Sequence, residues 1–343
     1  MKYLNHKVLK TALGTIISLY IAEFFKLNFG VTAGIVTIIT IQGTKKESFK
    51  VAFDRFIASA IGLIISVLLF HVFGFTPVVF GVFVLLFMPI CLRYDLFQGF
   101  LVTVVLVTHM LVIEDISVAS ILNEVYILLV GTVVALILNM YMPEVKEDIL
   151  KTKRAIDDGM RRIISYFADV MVTGAIFVDE EKIFTDLRKN LDTYRELAFN
   201  EYNNDLINPS RYKIDLANMK KSQFKVLLRM RKHFYKFYIS SDHAHMVADF
   251  ARRVADSIGV GGIHNDALKE LGELREKFRN MPLPQTRVEF ESRAMFFQFL
   301  NDIEEFLEIK RDFLQKYTIK GEKINKYVEL IWHRGEGKFL WKS

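Results

Sequence analysis

The sequence predicts an all-α protein in two parts. A six-helix transmembrane domain fills residues 1–143, and a cytoplasmic antiparallel helical bundle follows in 144–343. Three observations carry this prediction. The first 143 residues hold 16 charged side chains, against 68 in the remaining 200. The first part is a series of long apolar runs, broken only by small residues, threonine or a rare charge, as packed transmembrane helices allow. The second part shows helical apolar spacing and no strand alternation.

The apolar runs are Lys7–Leu27, Phe29–Gln42, Arg55–Gly74, Pro77–Leu92, Leu96–Ile113 and Ile121–Tyr141. A helix needs about 20 residues to cross a bilayer upright, and about 17 at the low end. The second and fourth runs fall short of this unless Thr44 or Arg93 extends them. Basic residues set the orientation. Lys2, Lys7 and Lys10 precede the first span, and Lys45, Lys46, Lys50 and Arg55 lie between the second and third. Arg93 lies between the fourth and fifth, and Lys146, Lys151, Lys153 and Arg154 follow the sixth. All fall on one side, which the positive-inside rule places in the cytoplasm together with both termini. The expected location is the plasma membrane, multi-pass, with lipid as the first partner. The start of the chain has no small-x-small cleavage site after its apolar stretch, so no cleaved signal peptide is expected.

In the second part, Pro143 is placed to open a helix, with Glu144, Glu147 and Asp148 in a first turn that favours acids. That helix is expected to end at Thr173-Gly174. A second is expected from Asp179 to Asn208-Pro209, and a third from Ser210 to Ile239 with Phe224, Leu227, Leu228, Phe234, Tyr235 and Tyr238 on its apolar face. Ser240-Ser241-Asp242 can cap a fourth, which Gly259-Val260-Gly261-Gly262 ends. A fifth lies between Asp266 and Arg279. Met281-Pro282-Leu283-Pro284 is a break, and a long helix then runs from Thr286 to Tyr317, with a shorter one after Gly321 to Ile331.

Several function classes are disfavoured. A net charge of +6 with no isolated basic block argues against nucleic acid as a partner. One cysteine, Cys91, leaves no disulfide framework or thiolate metal cluster. His243 and His245 are two residues apart, which a helix splits onto different faces, so capping rather than metal binding is expected there. Gly259-Val260-Gly261-Gly262 lacks the lysine and hydroxyl partners of a phosphate loop and reads as a connection. No catalytic site, metal or cofactor is expected, and with no ATP-binding motif any transport would run on a gradient.

A further set of residues carries a resemblance. Lys10-Thr11-Ala12 opens the first span and Ala33-Gly34-Ile35 lies in the second. Gln42, Thr44 and Ser48 follow in the first loop, with Arg55 and Gly62 entering the third span. His109, Asn123-Glu124, Gly131, Asn139 and Pro143 complete the pattern. Over essentially its whole length the chain resembles the bacterial aromatic acid exporter family. That family is related to the fusaric acid resistance proteins and more distantly to the plant aluminium-activated malate channels. The second part is similar to the C-terminal helical domain of half-size, six-span members. The resemblance implies membrane transport of organic anions, with efflux of aromatic carboxylic acids first among them.

An organic-anion exporter needs positive potential at the entry, a polar path and often a titratable group. Arg55 and Arg93 at the cytoplasmic mouth can gather carboxylates, or else they set topology and pair with Asp54 and Asp95. The short second span, rich in Thr32, Thr37 and Thr40, offers Thr37, Thr40 and Gln42 for the path. Its glycines and threonines serve equally well for close helix packing. His109, Glu23 and Glu124 are the candidate proton-coupling groups. His109 stands deep in its apolar run, where a packing histidine is the alternative. Glu23 has Lys26 three residues on, and an ion pair would explain it without function. Glu124 and His71 are placed near the outer surface. Six spans are few for a pore within one chain, so a homodimer is expected, with Gly62 or Gly131 packing helices closely. The alternative function is a membrane-anchored interaction or regulatory protein that transports nothing.

Overall fold

The computed structural model describes residues 2–143, 145–174, 180–234, 242–259 and 265–319. Among these residues all regular structure is helical, in twelve α-helices. The chain divides into two compact units. One comprises Met1–Glu144 with Asn200–Pro209, and the other Val145–Phe199 with Ser210–Ser343.

The first unit holds α1 (Lys2–Phe24), α2 (Val31–Thr40), α3 (Lys45–Phe73), α4 (Pro77–Arg93), α5 (Phe97–Ile113) and α6 (Val118–Met140). Each apolar run contains one helix, but the boundaries differ from those expected. α3 begins ten residues earlier than its apolar run, because Thr44 caps it by accepting from the Glu47 backbone N–H at 3.3 Å. Thr44-x-x-Glu47 has the spacing of a capping box, and nothing between it and Phe73 breaks the helix. α1 stops at Phe24, short of Leu27, and Lys26 and Phe29 in the following turn take positive φ angles of 50° and 56°. α4 opens on Pro77 behind a Thr76 cap, and Ser117 caps α6. α2 has 10 residues, about 15 Å of helix against a hydrocarbon core of about 30 Å.

Two helices, α3 and α6, are long and apolar enough to cross a membrane, while α2, α4 and α5 are apolar and shorter. α2 packs between α1 and α6, α4 packs on α3 and α5, and α3 joins the two groups by packing on both α5 and α6. Phe83, Phe87 and Phe100 stack through the α3–α4–α5 core. Val78, Leu85, Leu101, Val112 and Ile137 point outward and are exposed. An apolar exterior of this extent suits lipid rather than water.

The second unit holds α7 (Lys146–Thr173), α8 (Glu180–Asn204, whose last residues group with the first unit), α9 (Tyr212–Phe234), α10 (Asp242–Asp256), α11 (Asn265–Arg279) and α12 (Arg287–Ile319). α7 starts at Lys146 and not at Pro143. Its first turn still carries Glu147 and Asp148, and Gly174 ends it in the left-handed conformation with its N–H on Val170 O. α7 packs on α9 and α10, and α12 packs on α9, α10 and α11. Leu187 of α8 lies against Gly159 of α7. Ile156, Met160, Phe167, Leu227, Val247, Phe250 and Ile303 form one core with these helices. Glu144, Tyr235 and Tyr238, the expected boundaries at Asp179, Ile239 and Ser240-Ser241, the run Val260-Gly261-Gly262, and the final helix after Gly321 lie outside the described residues.

Candidate functional site

α2 organises the polar interior of the first unit. Its first turn carries Thr32, its middle Thr37 and its last residue is Thr40, and all three are buried. Thr32 and Thr40 are eight residues apart, about 12 Å along a helix axis. A different charged constellation meets each end of this helix.

At the N-terminal end, His109 of α5 and Glu124 of α6 form a buried pair, with His109 Nδ1 2.7 Å from Glu124 Oε2. Glu124 is fully buried and His109 is 7% exposed. His109 Nε2 lies 3.2 Å from the Thr32 hydroxyl. The Phe29 ring stacks on the imidazole at 4.3 Å and 8°. Asn123 Nδ2 donates to Glu124 Oε1 at 3.0 Å and to Asn28 O at 3.1 Å, and Asn28 N–H donates back to Asn123 Oδ1 at 2.9 Å. This pins the α1–α2 turn to the start of α6. Every polar atom of the His–Glu pair therefore has a partner, as burial demands. A hydroxyl both donates and accepts, so Thr32 can face Nε2 whether or not that nitrogen carries a proton.

At the C-terminal end stands Arg55 of α3, 2% exposed. Its Nε donates to Gln98 O at 3.2 Å, its Nη2 to Ile39 O at 2.9 Å and its Nη1 to the Thr40 hydroxyl. Among the described residues no carboxylate pairs with it. Its compensation is the carbonyl end of α2, where the helix dipole is negative. Neither of the expected pairings with acids is present: Asp54 makes no ion pair with Arg55, and Asp95 pairs with Lys50 at 3.5 Å. Gln42 Nε2 joins the same carbonyl, Ile39 O, at 2.8 Å.

Hydroxyls fill the space between these ends. Thr37 bonds Ser18 and donates to Gly131 O at 3.0 Å, and Ser59 meets Thr103 at 3.0 Å. The Thr132 hydroxyl is buried and has no partner among the described residues.

The structure thus brings Arg55, Thr40 and Gln42 together, places Thr37 midway along α2, and joins His109 to Glu124. Arg93 and Glu23 stand apart. Arg93 is exposed in the last turn of α4. Glu23 is exposed at the end of α1, and no ion pair of its carboxylate with Lys26 is found. Glu124 lies near the start of α6 and is buried. α6 begins at Val118 rather than Ile121, so Glu124 falls on its second turn and turns inward onto α5. The sequence reading missed Phe29, Asn28 and Asn123 as neighbours of the pair, and it marked Thr32 only as one of the threonines of the second span. The signal for Asn123 was its place beside Glu124, but nothing local marks a turn that packs across from 95 residues away.

Comparison with known proteins places both parts of the chain. Residues 2–142 match the family model described as "Aromatic acid exporter family member 1". Residues 146–311 match the model described as "Putative aromatic acid exporter C-terminal domain". YqjA of Bacillus subtilis (strain 168), whose name assigns no function, is 30% identical over 310 residues, covering 90% of this chain and 96% of its own. The UPF0421 protein OB2406 of Oceanobacillus iheyensis is 30% identical over 141 residues, 41% of this chain and 40% of its own. A crystal structure of a "putative membrane protein" from Clostridium difficile 630 aligns with a TM-score of 0.42 at 22% identity, covering 49% of this chain and 99% of that one.

Proposed function

Because the chain belongs to the aromatic acid exporter family, we propose that it moves organic anions, aromatic carboxylates first among them, out of the cell through residues 1–143, driven by a proton or electrochemical gradient. On this reading α1–α6 are six membrane spans with both termini in the cytoplasm, residues 144–343 are a cytoplasmic bundle, and the working form is a dimer.

The observation that carries the reading is the pair of constellations at the two ends of α2. A buried guanidinium held only by neutral acceptors is a net positive charge in an apolar unit. A carboxylate offers such a group a bidentate partner stronger than any carbonyl it now holds. The His109–Glu124 pair at the other end can take up or release one proton while keeping its hydrogen bonds, because Thr32 serves either state. Ionisable residues at this depth are costly and by default mark an ion or proton path. The short α2, ending part-way through the unit, has the character of the broken helices that build transporter sites.

Flux in proteoliposomes tests this. An outward gradient of hydroxybenzoate is imposed with and without a pH gradient, on the wild type, Arg55→Ala and His109→Ala. Flux that requires Arg55 and loses its pH dependence with His109→Ala is the expected result. Flux indifferent to the pH gradient would make the protein a channel or uniporter and His109 a packing residue. Absence of flux for any organic anion would favour a membrane-anchored interaction protein instead.

A further inference from the structure

We infer that Phe29 is a lid on the His109–Glu124 pair, and that the outer solution reaches the pair, and supplies its proton, only when this ring leaves the imidazole. The inference deepens the transport reading and rests on it for which side is outer and for what the proton does. The lid itself stands on the geometry.

Three groups touch the imidazole. Glu124 Oε2 lies 2.7 Å from Nδ1, the Thr32 hydroxyl 3.2 Å from Nε2, and the Phe29 ring lies parallel to the imidazole plane within 8° at 4.3 Å. Glu124 is fully buried and Thr32 is 6% exposed, but Phe29 is 40% exposed. Of the three, Phe29 alone stands between the pair and the surroundings. The surroundings there are polar: Glu23, Lys26, Asn28 and Glu114 are exposed, as is His71 at the end of α3. Asp115 accepts from the Ser117 backbone N–H and hydroxyl. Among the described residues none of these groups forms an ion pair with His109 or Glu124. A proton that passes from hydronium to a neutral imidazole beside a carboxylate leaves water behind and makes the pair neutral overall. Burial favours that neutral state once the lid is closed.

The backbone singles out the same residue. Lys26 and Phe29 both have positive φ, 50° and 56°. For Lys26 the cause is an ordinary helix end. Its N–H bonds Glu23 O at 2.9 Å and the Leu27 N–H bonds Ala22 O at 3.0 Å, the paired bonds of a Schellman motif. Phe29 lies past that motif, and a bulky aromatic residue rarely adopts this conformation. Such a conformation persists where its surroundings over-determine it. Here the ring is held by His109, and the neighbouring Asn28 exchanges two backbone hydrogen bonds with the Asn123 side chain. Asn123 Nδ2 also donates to Glu124 Oε1 at 3.0 Å. One side chain therefore fastens the lid turn and orients the carboxylate beneath it.

The test is thiol accessibility in the full-length protein. Its single cysteine, Cys91, is buried and is removed as Cys91→Ser. Thr32→Cys then places a thiol under the ring. A membrane-impermeant methanethiosulfonate is applied to right-side-out and inside-out membrane vesicles. Labelling scales with the fraction of open lids, so Phe29→Gly should label at least about tenfold faster than the parent, from the outer side only. Glycine takes a positive φ without strain, so this variant should melt close to the parent. Phe29→Tyr keeps the ring and should label as slowly as the parent. Asn123→Ala, which frees the turn by a second route, should label faster than the parent. Equal rates in Phe29→Gly and the parent, or labelling as fast from the cytoplasmic side, would overturn the proposal. The expected labelling without any hydroxybenzoate flux would end the transport reading and leave the lid standing, because the thiol readout needs no transport.

Discussion

His109 and Glu124 meet at 2.7 Å from adjacent helices, with an imidazole nitrogen against a carboxylate oxygen that solvent does not reach. Removing one partner of such a pair leaves the other buried and uncompensated, at a cost of about 3–5 kcal/mol. His109→Ala should therefore lower stability by several kcal/mol. Glu124→Gln keeps the hydrogen-bonding shape and should cost only about 1 kcal/mol, while removing the titratable charge. The expected result is a Glu124→Gln protein that melts close to wild type and whose hydroxybenzoate flux no longer responds to a pH gradient. A folded Glu124→Gln protein with unchanged pH dependence would take the pair out of the coupling step.

Arg55 spends its donors on Gln98 O, Ile39 O and the Thr40 hydroxyl. A lysine cannot reproduce that fork. Arg55→Lys should keep the positive charge yet lose most of the flux. Arg55→Met should also leave buried acceptors unmet, at about 1–3 kcal/mol for each. Flux of Arg55→Lys at the wild-type level would show that charge alone matters and the fork does not.

At Gly131, α6 lies tight against α2. A Cβ there would stand 2.5 Å from Ala33 O and 2.7 Å from Val36 Cβ, so the backbone of α2 itself would have to move. Gly131→Ala should disturb the bond from Thr37 to Gly131 O and shift α2 against both of its end sites. We expect a destabilisation of about 1–3 kcal/mol, as for overpacking elsewhere, and a loss of flux larger than that of Gly81→Ala, where no atom lies within 4 Å. Melting temperature and flux measured on the two variants check this.

Lys310 sets a pH dependence of stability. Its folded value, near 8, lies below the ordinary 10.5. Between these limits the unfolded chain holds a proton that the folded chain has released, so stability should rise with pH across that window. Below about 8 the ammonium is charged in both states, and folding bears the whole cost of burying it. Lys310→Met should be the more stable protein near neutrality and should lose the rise between about 8 and 10.5. Denaturant titrations across this range, in wild type and variant, measure it.

Hydropathy and charge placed a helix in every apolar run, because a run of apolar residues in a helical register is itself the physical cause of burial. Charge also marked Arg55, His109 and Glu124, since an ionisable group within an apolar run is conspicuous wherever it points. Helix ends were less legible. α3 ran back to Lys45 because the Thr44–Glu47 cap outweighed the polar character of Lys45 to Asp54, and composition alone reads such a stretch as a loop.

What the sequence determined by itself was therefore the inventory: an all-helical chain, an apolar first part and a charged second part, and a short list of costly buried charges. The tertiary structure decided their partners. It set Glu124 on His109, turned Arg55 onto the end of α2 instead of onto Asp54, and left Arg93 and Glu23 exposed. The reason is physical. Burial and helix formation follow from residue type and local spacing, whereas the pairing of two side chains depends on how helices from distant parts of the chain pack and rotate against one another.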